Sequence, residues 1–193
     1  MCACSRARSL RTIATAAKIC STRIPIVASA GDTGFGVNFP ASSRYVVAVG
    51  GTSLVKNSDG TFSKSVWSGS GSGCSTLVTK PTYQKDTGCK FRTVNDLAVV
   101  ADPTTGVAVY SAGAWGVYGG TSVGSPLVAS MFALAGNGKS LNIANAGYLY
   151  SHGTWTDVTA GSDGSCVTTY YCTGVVGYDG PSGLGSPLGL AGF

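Results

Sequence analysis

The sequence contains no glutamate, so its eight acidic residues are all aspartates. Charged residues make up only 11% of the chain, against about 25% in an average soluble domain. Any catalytic arrangement that requires a glutamate base is therefore incomplete within these 193 residues. No apolar run reaches the length that a bilayer-spanning helix needs, and we expect no membrane partner.

The net charge of +5 belongs to the N-terminal segment. Residues 1–23 carry five basic and no acidic side chains, whereas the remaining residues have eight of each. The segment has no aromatic residues, so a nucleic-acid partner is not expected. It also lacks the continuous apolar stretch of a secretory signal. We predict a helix over about Leu10 to Ile19, and we divide the chain into a basic segment, 1–23, and one domain, 24–193.

Seven cysteines fall into two groups. Cys74 and Cys89 flank one loop rich in Gly, Ser and Thr, and Cys166 and Cys172 flank a shorter one. Two disulfides, Cys74–Cys89 and Cys166–Cys172, would stabilise these loops and indicate an oxidising, extracellular location. The remaining three lack the close paired spacing of a zinc site; they are Cys2, Cys4 and Cys20.

Short apolar runs separated by Gly-rich turns predict strands that deliver polar groups to one edge of a parallel sheet. The first such stretch, Ile24 to Gly34, predicts a strand that ends at Asp32. We predict a second strand at Tyr45–Val49 followed by a turn, and a surface hairpin over Thr52–Ser68. The other predicted elements are strands within Asn95–Pro103 and Gly106–Gly120, a helix over Leu141–Ser151, and loop from Trp155 onward.

The stretch YGGTSVGSPLVASMFALAG, from Tyr118 to Gly136, places Ser122 at the N-terminus of a predicted helix. A hydroxyl there is close to the positive end of the helix dipole, which suits a nucleophile whose attack creates an oxyanion. Apolar residues at three- and four-residue spacing predict that the helix is buried; they are Leu127, Val128, Met131, Phe132 and Leu134.

Three alternatives concern Ser122. It could simply cap the helix. Its G-x-S-x-G context, with His152 following in the chain, also matches an α/β-hydrolase esterase. A subtilisin-type triad is excluded, because its histidine precedes the serine whereas His152 comes after it.

Several motifs agree in order and spacing between Ile24 and Pro187. They are SAGD (29–32), FPASSRYVVAVGGTSL (39–54), GGTSVGSP (119–126), WTDVTAGSDGSC (155–166) and GYDGPSGLGSP (177–187). This set resembles the sedolisin family of serine-carboxyl peptidases, the acid-acting relatives of subtilisin. The resemblance implies an α/β fold with a subtilisin-like parallel sheet flanked by helices, and activity toward peptide or protein substrates.

The same resemblance assigns roles to two residues. Ser122 matches the family's nucleophile, and Asp32 matches the acid that lines its oxyanion hole. Only a protonated carboxyl group can donate a hydrogen bond to an oxyanion, so this role requires acidic conditions.

The resemblance also implies one calcium ion near the C-terminus. The matching ligands are the carboxylates of Asp157 and Asp179 and the backbone carbonyls of Val158, Val175 and Gly177. Hard oxygen donors of this kind suit calcium.

One part of the family pattern is missing. Sedolisins activate their serine with a Glu that is oriented by an Asp one helical turn away, and no acid precedes Asp32 here. We therefore expect residues 24–193 to be a partial peptidase domain without the family's N-terminal strands, either the C-terminal portion of a longer domain or a degenerate copy. The chain alone is predicted to be inactive, with the missing N-terminal portion as a candidate partner. The alternative is a secreted, non-catalytic pseudo-protease that binds peptides.

Overall fold

The computed structural model describes residues 24–136 and 146–193. The helix predicted near Leu10–Ile19 and the three leftover cysteines lie outside these ranges. The described strands are β1 (Val27–Ser29), β2 (Val47–Lys56), β3 (Phe62–Val66), β4 (Cys74–Thr79), β5 (Phe91–Thr93), β6 (Leu97–Val100), β7 (Val107–Ser111), β8 (Ala114–Tyr118), β9 (Trp155–Thr156) and β10 (Ser186–Pro187). The described helices are α1 (Thr121–Ala135), α2 (Gly147–His152) and a 3₁₀ turn at Thr169–Tyr171.

Strand β2 is the centre of the main sheet. Its Val49 pairs with Ser29 of β1 and with Leu97 of β6, both in parallel, so these strands flank β2 on opposite sides. Farther along, β3 replaces β1 and pairs with β2 in antiparallel register. The parallel arrangement delivers the carboxyl ends of β1, β2 and β6 to one edge, as the sequence predicts.

The predicted turn after Val49 is wrong, because β2 runs without interruption through Gly50 and Gly51. The two glycines serve close packing instead. A Cβ at Gly50 would collide with the Pro181 carbonyl oxygen, and one at Gly51 would lie 2.8 Å from the Ala101 Cβ. Glycine here permits neighbouring segments to approach the sheet, and it does not bend the strand.

Helix α1 packs on the sheet through one narrow face. Its buried residues recur four apart, at Gly124, Val128 and Phe132, which is the spacing of one helical stripe. The prediction that Leu127 and Leu134 are buried is wrong, since their exposed fractions are 37% and 74%. Both side chains lie outside the stripe that faces the sheet.

Several local predictions are confirmed. The hairpin over Thr52–Ser68 is formed by β2 and β3, and its turn contains Asn57 and Gly60. Both predicted disulfides are present. The helix predicted over Leu141–Ser151 is observed at Gly147–His152, and its earlier residues up to position 145 lie outside the described part.

The hydrophobic core lies between β2, β6, α1 and α2. The C-terminal residue, Phe193, closes it and meets Phe132 edge to face, with ring centroids 5.0 Å apart. Among the described residues, no helix is long and apolar enough to span a bilayer.

Replacing Gly51 with alanine is expected to destabilise the fold by about 1–3 kcal/mol, because the added methyl overpacks against Ala101 and Trp67. Denaturant unfolding measures the change. Gly36→Ala is the matched control: a Cβ there would lie 3.9 Å from its nearest neighbour, the Gly34 carbonyl oxygen. Equal losses in the two variants would contradict the packing role of Gly51.

Candidate active site

Ser122 is the second residue of α1, and its side chain is exposed. The residue that caps this helix is Gly120, which has a φ of 95° and contributes no side-chain capping bond. The positive φ favours glycine at this position. Ser122 is therefore not the helix cap, so the capping alternative is wrong.

Asp32 lies on the exposed loop after β1. Its Oδ1 accepts hydrogen bonds from the backbone N–H of Thr121 at 2.6 Å and from the Thr121 hydroxyl at 2.8 Å. The Thr121 Oγ1 in turn accepts a hydrogen bond from the Gly31 N–H at 3.0 Å. Thr121 thus fastens the loop after β1 to the start of α1.

The second oxygen of Asp32 shares a gap with Ser122. A Cβ at Gly120 would lie 2.9 Å from Asp32 Oδ2 and 3.0 Å from Ser122 Oγ. The two oxygens therefore border the same small space, which stays open because residue 120 has no side chain. Among the described residues, no acidic side chain hydrogen-bonds to the Ser122 hydroxyl.

His152 is engaged within its own helix. Its Nδ1 lies 2.8 Å from Ser151 Oγ and 3.2 Å from the Tyr148 carbonyl oxygen. The imidazole also stacks on the Tyr148 ring, with centroids 4.0 Å apart. Local contacts account for the placement of this side chain.

The five residues matched to the calcium site lie on two neighbouring segments near the C-terminus. The Gly177 N–H donates to Asp157 Oδ2 at 2.8 Å, and the Val175 N–H donates to Asp179 Oδ2 at 2.9 Å. Val158 is buried next to Asp157. Burial raises the pKa of Asp179 to about 6, and the negative charge of Asp157 adds to this effect.

A buried ion pair between β5 and the residue before β6 was not predicted from the sequence. Arg92 and Asp96 are fully buried and form two hydrogen bonds, of 2.7 and 2.6 Å. Although burial alone would lower the pKa of Arg92, contact with Asp96 holds it well above its usual value. Asp96 also accepts hydrogen bonds from the Ala48 N–H and the Tyr150 hydroxyl. In the sequence, an arginine and an aspartate four residues apart beside an apolar run do not distinguish a buried ion pair from surface charges.

No family model matches the chain. Pseudomonas sedolisin, a serine-carboxyl proteinase solved with two molecules of pseudo-iodotyrostatin, superposes with a TM-score of 0.73 at 30% identity, over 92% of this chain and 56% of that one. Sphericase superposes with a TM-score of 0.63 at 18% identity and supports the fold alone. Kumamolisin from Bacillus sp. (strain MN-32) is 31% identical over 194 aligned positions, 86% of this chain and 35% of that protein.

The fold is thus that of the subtilisin-like peptidases, an α/β architecture whose main sheet is mixed, with β1, β2 and β6 parallel and β3 antiparallel. Sequence and structure together place the chain more narrowly: it belongs to the sedolisin family of serine-carboxyl peptidases. It spans about a third of the length of the curated relatives it matches.

Removing the Thr121 hydroxyl with Thr121→Val is expected to leave the Gly31 N–H without its acceptor and to cost about 1–3 kcal/mol of unfolding free energy. Hydrogen exchange at the Gly31 amide should also be faster in Thr121→Val than in the wild type. Thr121→Ser keeps the hydroxyl, so Gly31 should stay protected in that variant. Equal Gly31 exchange in both variants would contradict the bond between Gly31 and Thr121.

Proposed function

We propose that this chain supplies the nucleophile and the oxyanion-stabilising acid of an acid-acting, serine-type endopeptidase. The observation that carries the proposal is the shared gap at Gly120, which both Ser122 Oγ and Asp32 Oδ2 border. A scissile carbonyl placed there would have a nucleophile and an acid within reach. Sedolisin-family relatives are peptidases, so the substrate would be a peptide or an unfolded protein.

The hydrogen bonds of Asp32 support different roles for its two carboxyl oxygens. Oδ1 accepts from both Thr121 donors, so the proton of the neutral acid belongs on Oδ2. When Ser122 Oγ attacks the carbonyl carbon, the carbonyl oxygen gains the negative charge. The Oδ2 hydroxyl of neutral Asp32 then donates a hydrogen bond to that oxygen, which is why the reaction requires acid.

The proton released by Ser122 needs an acceptor that this chain does not carry, since it contains no glutamate. Loss of one member of such a catalytic set typically costs on the order of a million-fold in rate. The chain alone is therefore inactive as a peptidase. Its partner is the portion of a sedolisin-type domain that bears the Glu and Asp pair.

The two disulfide-closed loops support an extracellular location. Two disulfides close segments rich in Gly, Ser and Thr, and such bonds persist in oxidising compartments.

We also propose that a calcium ion binds the residues near the C-terminus. The carboxyl group of Asp179 is buried, and it lies close enough to Asp157 for the negative charge of Asp157 to raise its pKa. Neither residue belongs to an ion pair in the described part of the chain. Among the same residues no cluster of three His, Cys, Asp or Glu side chains occurs. Carbonyl oxygens of Val158, Val175 and Gly177 would therefore complete a set centred on Asp157 and Asp179, and oxygen donors are those that calcium takes. The bound ion would hold these two segments together.

A second candidate function is peptide binding without cleavage. It is favoured by the absence of the base, because a groove can retain affinity for peptides when its serine is not activated. The esterase alternative requires His152 as base, and its Nδ1 is already engaged by Ser151 and Tyr148. No observation favours the esterase.

Incubation of the chain with unfolded protein substrates at acidic pH is expected to give no turnover that depends on Ser122, because the base is absent. Co-expression with the remaining portion of the Pseudomonas sedolisin chain should improve solubility and restore cleavage. Ser122→Ala is the control, and it should stay inactive in both settings.

Turnover by the chain alone that Ser122→Ala abolishes would contradict the prediction of inactivity. If co-expression restores nothing while peptides bind the wild-type chain and Ser122→Ala with equal affinity, the peptide-binding function replaces the peptidase.

Addition of calcium is expected to raise the thermal unfolding midpoint by roughly 5 °C or more at saturating concentration. Asp157→Asn removes one charged ligand and should abolish most of that shift. Asp59→Asn removes an exposed carboxylate on the β2–β3 turn and should leave it intact. An absence of calcium binding by calorimetric titration would eliminate the site.

A further inference from the structure

Asp163 is a buried carboxyl group that the catalytic proposal does not use. Its exposed fraction is 3%, and neither carboxyl oxygen has a hydrogen-bond partner among residues 24–136 and 146–193. The nearby Ser72 hydroxyl donates instead to the Tyr171 carbonyl oxygen at 2.7 Å. A buried, unpaired carboxylate is costly, and such a group stays neutral when it can.

The backbone around Asp163 joins two loops. The Phe35 N–H, three residues beyond Asp32, donates to the Asp163 carbonyl oxygen at 2.8 Å. The Asp163 N–H donates to the Cys172 carbonyl oxygen at 2.9 Å, inside the loop closed by the second disulfide. Asp163 therefore lies between the loop that carries Asp32 and the disulfide loop.

The contact with the Asp32 loop is tight. A Cβ at Gly34 would lie 2.8 Å from the Asp163 carbonyl oxygen, and one at Gly164 would lie 2.9 Å from the Phe35 Cβ. The backbone of Asp163 is therefore packed against the loop of Asp32. Because a buried, unpaired charge is costly, an ionised Asp163 side chain would have to reach water, and a shift of its backbone would disturb the contacts with that loop.

We propose that Asp163 is a pH-sensitive lock: while its buried carboxyl group is neutral, the backbone hydrogen bonds that hold the loop 31–36 against the disulfide loop persist, and on ionisation the side chain moves toward water and these bonds break. The site around Ser122 would then be assembled in acid and loosened at neutral pH.

The electrostatic surroundings of Asp163 support this behaviour. Burial raises its pKa to about 7, and the negative charge of Asp179 adds to the effect. The nearby Ser72 hydroxyl, although it donates to Tyr171, and the Asp163 N–H lower this pKa by less than burial raises it. Asp163 forms no salt bridge with a lysine or arginine of the described residues. On the facing loop, the carboxyl group of Asp32 is directed to Thr121 instead.

The direction of the pH effect follows from linkage. The folded chain holds this proton more tightly than the unfolded chain, whose aspartates have a pKa near 3.8. Stability from Asp163 is therefore fully present below about pH 4 and is lost as the pH rises through about 7. The lock does not depend on the peptidase proposal, because it acts on stability and not on turnover.

Asp163→Asn keeps the shape of the side chain but cannot ionise, so it tests the lock in the full chain with calcium held constant. Between pH 4 and pH 7.5 the wild-type unfolding midpoint should fall by roughly 5–10 °C more than that of Asp163→Asn. Over the same range the Phe35 amide should lose hydrogen-exchange protection in the wild type and keep it in the variant. Asp59→Asn, the control for loss of an exposed carboxylate, should follow the wild type.

Parallel pH profiles for the wild type and Asp163→Asn, in midpoint or in Phe35 protection, would overturn the lock. If Asp163→Asn does not fold, ¹³C spectra of the wild-type aspartate carboxyl groups provide the test. A carboxyl that titrates near pH 7 together with the loss of Phe35 protection supports the lock. Asp179, whose pKa is about 6, is identified by its absence from the spectra of Asp179→Asn, and the absence of any other carboxyl group that titrates near pH 7 overturns the lock.

Discussion

The hydrogen bonds between Thr121 and the loop after β1 are the constraint on which the site depends. Residues 31 and 32 lie about ninety positions from Thr121 in the chain, yet the Gly31 N–H and Asp32 Oδ1 form three hydrogen bonds with its backbone and hydroxyl, each of 3.0 Å or less. These bonds hold the acid beside the first turn of α1. They also occupy one oxygen of Asp32, so that the other is left for the gap beside Ser122.

Close approach of backbone segments makes that arrangement possible. Gly124 of α1 leaves space where a Cβ would lie 2.8 Å from Val99 of β6, so the helix sits low on the sheet. Gly51 permits the same for Ala101, the residue whose carbonyl accepts the Gly120 N–H. The high glycine content of the chain, 29 residues, thus partly reflects packing. Glycines such as Gly51 and Gly124 lie inside a strand and a helix, so they do not mark turns.

Features that depend on a few neighbouring residues could be predicted from the sequence. The β2–β3 hairpin, both disulfides and the start of α1 were each determined by a few neighbouring residues. The turn at Gly50 was mispredicted because this glycine makes room for the carbonyl oxygen of Pro181, which is distant in the chain. Burial of Leu127 was mispredicted because apolar spacing does not indicate how wide the contact face is.

Features that depend on tertiary burial were not accessible from the sequence. Arg92 and Asp96 look like ordinary surface charges until the fold removes both from water. Asp163 looks like one more loop aspartate in a Gly/Ser-rich segment, and only its burial without a partner sets it apart. The Ser122 and Asp32 pairing itself came from family resemblance, since nothing in either local segment specifies the other.

The most direct test of the central claim is ¹³C NMR of a peptide aldehyde, labelled at its carbonyl carbon, bound to the chain over a range of acidic pH. The aldehyde should form a hemiacetal with Ser122 whose population falls as the pH rises, because ionised Asp32 no longer donates a hydrogen bond to the hemiacetal oxygen. Asp32→Asn, whose amide donates at every pH, should lose that dependence, and Ser122→Ala should form no hemiacetal. The same pH dependence in Asp32→Asn and in the wild type would contradict the account.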